Sequence, residues 1–170
     1  MNEIYRQRID SPIGPLLLSG GDGVLLRVEF LSDIDDRLDG LEDERLGRAV
    51  EALQAYFSGA AMDIDVPLDP AGTDFQRQVW SALRSIPYGA TCSYRELAGA
   101  IGRPRAVRAV GAANGANPIP IVIPCHRVIG ADGSLTGYGG GLGRKRWLLE
   151  LEARVLAEAG RISPRVSHDL

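Results

Sequence analysis

Pro124-Cys125-His126-Arg127-Val128 places a thiol directly beside an imidazole and a guanidinium. The apolar run Pro118-Ile119-Pro120-Ile121-Val122-Ile123 precedes it, and its prolines predict a stiff, extended approach. Aliphatic side chains on that approach predict burial, and a free buried cysteine is commonly a small core residue. Cationic neighbours instead favour the thiolate, which is the nucleophilic form of cysteine. Cys125 is therefore a candidate nucleophile, with a structural cysteine as the alternative.

His126 is the candidate base for that thiol. In an extended segment, adjacent side chains point to opposite sides of the chain. His126 therefore needs a turn in the backbone, or a bridging water, to reach Cys125.

Length and composition limit the classes of protein that fit. A chain of 170 residues with 45% hydrophobic and 24% charged side chains is typical of a soluble globular protein with one medium domain or two small ones. The two cysteines, Cys92 and Cys125, make no disulfide framework and fit a reducing cytoplasm. The two histidines, His126 and His168, offer no zinc-type spacing, so we expect no metal and no cofactor. With no signal peptide and no apolar run near ~18 residues, we expect a cytoplasmic protein without a membrane span.

Charge is divided unequally between the two halves, although the net charge is only -3. Residues 1–71 carry 15 acidic and 6 basic side chains, whereas residues 72–170 carry 7 acidic and 13 basic ones. A basic half indicates an acidic partner such as nucleic acid. The alternative is that the opposite charges only hold the two halves together, and charge by itself does not choose between these interpretations.

Residues 1–70 predict a small N-terminal α/β domain. Alternating patterns predict three strands, at residues 3–9, 16–18 and 24–30. The acidic segment 32–43 predicts a loop with a partial helix. One apolar face predicts an amphipathic helix over residues 44–58, formed by Leu46, Val50, Leu53 and Phe57. Residues 60–72, with two prolines and alternating aliphatic side chains, predict an extended linker.

Residues 71–160 predict a C-terminal domain that begins with three helices. Thr73 with Gln76 has the spacing of a capping box, and Ser93 with Glu96 has it again. These signals predict one helix from Thr73 to Ile86 and a second from Ser93 to Ile101. Pro104 at the first position predicts the start of a third helix, which ends at Asn114-Gly115.

The second and third of these helices are typical of a helix-turn-helix, in which the later helix contacts DNA. Apart from Arg105 and Arg108, that helix consists mainly of Ala, Gly and Val, so long polar side chains that read base edges are nearly absent. Small side chains fit two interpretations: tight packing against another helix, or close entry into a narrow groove.

The last part of the chain predicts a hairpin turn at Asp132-Gly133, a glycine loop at residues 137–141 and a helix over residues 142–159. Glu152 lies within the apolar face of that helix, where an unpaired carboxylate is expensive to bury. His126 is its candidate partner, and an edge position in solvent is the alternative. The polar tail, residues 161–170, is expected to be disordered and its His168 inert.

These residues resemble the O6-alkylguanine-DNA alkyltransferases, also called methylated-DNA–protein-cysteine methyltransferases. The stretches that carry the resemblance are Arg108-Ala109-Val110-Gly111, Asn117-Pro118, Pro124-Cys125-His126-Arg127-Val128 and Tyr138-Gly139-Gly140-Gly141-Leu142. The resemblance extends from Gly72 to Glu152. Before that it is weaker, although Ser11-Pro12-Ile13-Gly14 and Tyr56-Phe57-Ser58-Gly59 still fit.

The resemblance implies an N-terminal ribonuclease-H-like α/β domain and a mostly helical, winged-helix-like C-terminal domain. It implies DNA repair by direct, stoichiometric and irreversible transfer of an alkyl group from O6-alkylguanine to Cys125, with O4-alkylthymine left open as a second substrate. His126 would take the thiol proton through a water, and Glu152 would hold the imidazole. Asn117 would brace the turn around the cysteine. Tyr94 would help to rotate the 3′ phosphate and would donate a proton to the departing guanine.

The implied partner is double-stranded DNA, bound by a monomer through the minor groove with base flipping, and cooperative binding is left open. Arg108 would replace the flipped nucleotide in the stack. The implied DNA contacts are Ser93, Tyr94, Arg105, Ala106, Arg108, Ala109 and Ala112. The implied substrate pocket is lined by Pro120, Val128, Tyr138 and Gly139.

Three departures from the family pattern qualify the resemblance. Gly139 stands where some relatives have a serine that donates to O6, so that contact would come from backbone alone. The zinc ligands of some relatives are missing, which favours a metal-free protein, and Cys92 matches no catalytic position. Two rivals remain: a helix-turn-helix regulator with a structural cysteine, and a cysteine hydrolase.

Overall fold

The computed structural model describes residues 3–32 and 41–160. The chain divides into two compact units, Met1–Ala71 and Gly72–Leu170. The expectations for the tail, its His168 and most of the acidic segment 32–43 concern residues outside the described ones. No helix in the described part of the chain is long and apolar enough to cross a membrane.

The first unit contains a three-stranded antiparallel sheet in the order β1-β2-β3, which confirms the three predicted strands. These are β1 (Tyr5–Ile9), β2 (Leu16–Gly21) and β3 (Val24–Phe30). The central strand β2 is buried along its whole length. Because consecutive strand residues point to opposite faces, the burial of Leu16, Leu17 and Leu18 means that both faces of the sheet are covered there. Asp22 and Gly23 both have positive φ, 51° and 78°, and make the tight connection between β2 and β3.

The predicted amphipathic helix is confirmed as α1 (Gly47–Ser58), preceded by a 3₁₀ turn at Glu44–Leu46. Its buried face includes Leu53 and Tyr56, both fully inaccessible, and Gly59 ends it with a φ of 80°. The predicted linker is partly paired. Leu25 of β3 donates to the Pro67 carbonyl over 2.8 Å and accepts from Asp69 over 3.0 Å.

The second unit begins with α2 (Asp74–Leu83), β4 (Cys92–Ser93), α3 (Tyr94–Ala100) and α4 (Val107–Gly115). Both predicted capping boxes are confirmed, since Thr73 and Ser93 each bond reciprocally with the residue three positions on. The predicted start of α4 at Pro104 is wrong. Residues 103–106 form a turn in which Ala106 donates to the Arg103 carbonyl over 2.9 Å, and the helix begins at Val107.

The remainder of the second unit is β5 (Val128–Ile129) and α5 (Leu142–Glu158). The strand β5 pairs in parallel with β4, Cys92 opposite Val128 and Ser93 opposite Ile129. This pairing fixes the start of α3 beside the end of the Cys125 segment. At Asp132-Gly133 the predicted turn is present, with Gly130 donating to the Ser134 carbonyl over 2.8 Å, but among the described residues no second hairpin strand follows it.

Candidate active site

The backbone before Cys125 is a tight loop, so the predicted extended approach is wrong. Ile123 donates to the Ile119 carbonyl over 2.9 Å, and Ile121 has a φ of 76°. A β-branched residue rarely adopts that conformation, and the burial of Ile121, 2% exposed, offsets the strain. The loop then enters a 3₁₀ turn, Cys125–Arg127, which supplies the change of direction that His126 needs.

Asn117 holds this loop from the end of α4. Its side-chain nitrogen donates to the Ile123 carbonyl over 2.8 Å, and its oxygen accepts from the Ile119 amide over 2.9 Å. The Asn117 amide also lowers the pKa of the Cys125 thiol, against the effect of burial. The structure therefore brings Asn117 and Cys125 together, and the prediction that Asn117 braces the turn has a direct geometric counterpart.

Cys125 is 4% exposed, and its environment favours the neutral thiol at rest. Burial raises the pKa of Cys125 to about 11, while the hydrogen bond from Asn117 and the charge of Lys145 act in the opposite direction. A thiol with such a pKa needs a base to become a nucleophile at neutral pH.

His126 and Glu152 form the buried pair that can supply this base. The imidazole Nε2 lies 2.7 Å from Glu152 Oε2, and neither side chain is exposed. With Nε2 donating to the carboxylate, Nδ1 is the ring nitrogen that can accept a proton. Burial lowers the pKa of His126, and the Glu152 carboxylate opposes that shift. The alternative that Glu152 lies at a solvent-exposed edge is wrong.

Arg127 makes contacts that the sequence did not reveal. Its Nε and Nη2 donate to the two carboxylate oxygens of Glu152 over 2.8 and 3.1 Å, and Nη1 donates to the Ile86 carbonyl over 2.8 Å. The guanidinium also lies 5.5 Å from the centre of the Tyr88 ring. The expectation that Arg127 is a cationic neighbour of the thiol is therefore replaced by a role at the carboxylate.

Lys145 is the cation that acts on Cys125 instead, and it too was missed. The side chain is fully buried, and Nζ donates to the carbonyls of Val128 and Thr136. Burial lowers the pKa of Lys145. A sequence signal exists, because Lys145 lies three and seven positions before Leu148 and Glu152 on the buried face of α5, but a lone lysine is normally exposed.

The four residues predicted to line the substrate pocket differ in their burial. Pro120 and Val128 are buried, Tyr138 is half-buried and Gly139 is exposed. The Cys125 side chain acts electrostatically on Tyr138, whose pKa is raised chiefly by burial, which places that ring near the thiol. Gly139 has open space where a side chain would begin.

The predicted DNA contacts occupy one exposed surface of the helix-turn-helix, with one exception. Arg105, Arg108, Ala109 and Ala112 are exposed, and Ala106 and Tyr94 are half-exposed. A side chain built at Gly111 would meet the Tyr94 ring at 3.8 Å, so that ring packs against α4. Ser93 is buried, with its hydroxyl accepting from the Glu96 amide to cap α3.

The described residues contain no group of three His, Cys, Asp or Glu side chains that could hold a metal ion. Cys92 is fully buried in β4. Burial, followed by the charge of Glu96, raises the pKa of Cys92 to about 12, so its thiolate is less accessible than that of Cys125.

A helix-turn-helix unit that encloses a thiol, an imidazole and a buried carboxylate defines a DNA-directed protein with a cysteine nucleophile. Models of known families match both units of the chain. The ribonuclease-like domain of 6-O-methylguanine DNA methyltransferase matches residues 4–70, and the DNA binding domain of that protein matches residues 74–164. This chain belongs to the 6-O-methylguanine DNA methyltransferase family, whose members repair DNA by transferring an alkyl group to a cysteine.

Individual relatives agree with this assignment. The methylated-DNA–protein-cysteine methyltransferase of Mycobacterium bovis is 55% identical over 152 residues, covering 88% of this chain and 92% of the relative. The Methanosarcina barkeri protein of the same name is 52% identical and covers 88% and 97%. The solved structure of Mycobacterium tuberculosis OGT in complex with DNA is 55% identical, covers 89% and 94%, and has a TM-score of 0.81.

Proposed function

We propose that this chain repairs DNA by moving the alkyl group of O6-alkylguanine to Cys125, once per molecule. The observation that supports this choice of cysteine is the arrangement around the thiol. Asn117 holds the loop before it through the Ile119 amide and the Ile123 carbonyl, and the next residue is an imidazole held 2.7 Å from a buried carboxylate. Cys92 has no such surroundings.

The reaction moves one proton and one alkyl group. His126 Nδ1 takes the thiol proton through a bridging water, and Sγ attacks the alkyl carbon as the bond from that carbon to O6 breaks. The bonding electron pair stays on guanine, which takes a proton on its ring from Tyr94. The Tyr94 hydroxyl regains a proton from solvent as His126 releases its own, so protons balance and the product is a thioether.

DNA binding is assigned to the exposed surface of α3 and α4. Between Glu96 and Asp132 the sequence has no acidic residue and contains Arg103, Arg105 and Arg108, so this surface attracts phosphates. The exposed alanines Ala109 and Ala112 let the α4 backbone approach the floor of the minor groove. Arg108, exposed on the same helix, would occupy the space left by the flipped nucleotide.

The flipped base would enter beside the Cys125 turn. Pro120, Val128, Tyr138 and Gly139 would line its pocket. Lys145 and Tyr94 both contact Thr136, so the loop between β5 and α5 is held next to that pocket. We expect one chain to suffice, acting as a monomer, and none of these steps calls on a metal or a cofactor.

The test is to identify the alkylated residue. Trypsin places Cys92 in the peptide 85–95 and Cys125 in the peptide 109–127, so mass spectrometry distinguishes them. After incubation with duplex carrying O6-methylguanine, we expect one added methyl on residues 109–127 and none on residues 85–95. Methyl on residues 85–95 would refute the assignment to Cys125. Product beyond one equivalent per chain would refute single turnover and favour a hydrolase.

A further inference from the structure

The Glu152 carboxylate is saturated with hydrogen-bond donors. Oε1 accepts from the Gly89 amide over 2.8 Å and from Arg127 Nε over 2.8 Å. Oε2 accepts from Arg127 Nη2 over 3.1 Å and faces His126 Nε2 at 2.7 Å. A carboxylate offers about four lone-pair positions, and donors occupy all of them. Glu152 therefore has no position for a proton and is held as an anion in one orientation.

A buried anion requires a compensating charge, and the network offers two sources. The Gly89 amide is neutral, so the positive charge comes from Arg127 or from a proton on His126. Arg127 is 8% exposed, and an arginine in a protein stays protonated. The Arg127–Glu152 pair is consequently neutral by itself. Glu152 therefore needs no positive charge on His126 to compensate its own charge.

We infer that Arg127 is a positioning residue for alkyl transfer: its two-pronged contact neutralises and orients Glu152, so that His126 rests as an uncharged base able to accept the Cys125 proton. This inference rests on the proposed function, in which His126 performs that step. Without Arg127, the buried Glu152 charge would draw a proton onto His126 and occupy the base before the reaction begins.

The charged groups around His126 change its pKa in opposite directions. Glu152 favours the imidazolium, whereas Arg127 and Lys145 oppose it, and burial opposes it most. Tyr88 and Tyr138 also lie within electrostatic range of Glu152, and both have a pKa raised mainly by burial, so they are uncharged at neutral pH. When the thiol proton reaches His126 Nδ1, Nε2 still donates to Glu152, so the carboxylate stabilises the new imidazolium and the Cys125 thiolate balances the added charge.

Arg127 also connects three segments of the site. Its remaining contact, Nη1 to the Ile86 carbonyl at 2.8 Å, joins the turn after α2 to the Cys125 turn and to α5. A purely structural role would therefore predict lost stability on substitution, with the protonation of His126 unchanged. The structural role and the positioning role of Arg127 therefore differ in whether its substitution changes the pKa of His126.

The experiment measures the pKa of His126 directly by NMR. The chain has only two histidines, so the variant His168→Gln assigns the remaining imidazole signal. In Arg127→Gln, we expect the His126 titration midpoint to rise by about one pH unit. The acid limb of the rate of methyl transfer from duplex carrying O6-methylguanine should move upward by the same amount. Arg146→Gln, which removes an exposed arginine of α5, should change neither.

An unmoved His126 midpoint in folded Arg127→Gln would overturn the inference, even if the melting temperature fell. If Arg127→Gln does not fold, Arg127→Met decides, because methionine keeps an apolar stem in place of the arginine but removes the positive charge beside Glu152. Its His126 midpoint should lie above that of the wild type, and an unchanged midpoint would overturn the inference. The NMR titration needs no DNA, so failure of the wild type to methylate Cys125 would refute the proposed function separately.

Discussion

Glu152 is the residue at which the charges of the site meet. The pKa of this carboxyl lies well below its ordinary value: burial alone would raise it, but His126 and Arg127 outweigh burial. Cys125, by contrast, has only partial compensation from Asn117 and Lys145, and its pKa is raised. The resting site therefore contains an ionised carboxylate and a neutral thiol, and the proton on the thiol is the one that must move.

Replacing the Glu152 carboxylate should move the acid limb of the rate of methyl transfer to lower pH, whereas loss of Arg127 should move it to higher pH. In Glu152→Gln the charge of Arg127 remains beside His126 without an anion, so the pKa of His126 falls further. We expect slower methyl transfer at neutral pH, with the acid limb of the rate profile at lower pH than in the wild type. DNA affinity should stay nearly the same. A profile that coincides with the wild type would show that Glu152 does not act on His126.

Lys145 gives a second residue-scale prediction, because a buried cation near a thiol favours the thiolate. In Lys145→Met the side-chain volume is nearly kept and the charge is lost, so the pKa of Cys125 should rise further. We expect transfer to slow by about tenfold for each unit of that rise, with free O6-benzylguanine as well as with duplex. The melting temperature should fall modestly, since the Val128 and Thr136 carbonyls lose their donor, although removal of a buried cation offsets part of that cost.

The control for Lys145 is Arg146→Met, the next residue of α5, whose side chain is exposed. It should leave both rate and melting temperature unchanged. Equal rates in Lys145→Met and the wild type would mean that the ammonium only ties the carbonyls of Val128 and Thr136.

The sequence predicted the pairing of His126 with Glu152 but not the contacts of Arg127 and Lys145. The cost of burying Glu152 unpaired indicated a partner, and His126 is there. Arg127 and Lys145 were missed because their acceptors are backbone carbonyls and a carboxylate distant in sequence, at Ile86, Thr136 and Glu152. Residue type alone places such long cations in solvent.

At the scale of the elements, local signals succeeded where the stabilising contacts are local. The two capping boxes involve residues three positions apart, and the sequence predicts them directly. The predictions for the start of α4 and for the loop at Ile121 failed, although the contacts there are also local. At the start of α4, Ala106 donates to the Arg103 carbonyl, and in the loop Asn117 bonds the backbone of Ile119 and Ile123. These turn contacts have no spacing signature as specific as a capping box, and they outweigh the preference of Pro104 for a first helical position and of prolines for an extended chain.

The helix α4 gives the prediction that separates DNA handling from chemistry. Arg108→Ala removes the side chain proposed to replace the flipped base, and flipping costs a few kcal/mol. The loss of rate on methylated duplex should therefore exceed the loss on free O6-benzylguanine by about tenfold or more. Arg84→Ala, an exposed arginine just after α2, serves as the matched control. Equal losses on both substrates would eliminate the proposed role of Arg108.

At the scale of the whole molecule, the buried pair makes stability depend on pH. The folded pKa of His126 lies below its ordinary value of 6.5 because of burial. As the pH falls through that value, the unfolded chain binds a proton that the folded chain does not. Stability should therefore decrease by up to about 1.4 kcal/mol per pH unit. Below pH 4.5, the ordinary value of a glutamate, Glu152 adds to the loss.

Urea unfolding of the His168→Gln variant at pH 7.5 and pH 5.5 tests this dependence, because His126 is then the only histidine in the chain. We expect a lower midpoint concentration of urea at the lower pH. A free energy of unfolding that is the same at both pH values would mean that folding does not shift the pKa of His126, and a larger value at pH 5.5 would mean that the folded protein holds the imidazolium. Either result would contradict the resting state described above.

Alkylation itself should act on the whole molecule. The product at Cys125 is a thioether, which has no carbonyl for water to attack and cannot exchange with another thiol, so one alkyl group per chain is the limit.

Residues 119–129 are all buried, and an added carbon group in a well-packed site costs roughly 1–3 kcal/mol. We expect the methylated protein to melt several degrees lower than the unmodified one, and the benzylated protein to melt lower still. Cys125→Ser carried through the same incubations is the control and should keep its own melting temperature. If methylated and unmodified protein melt together, the pocket around Cys125 has room for the product.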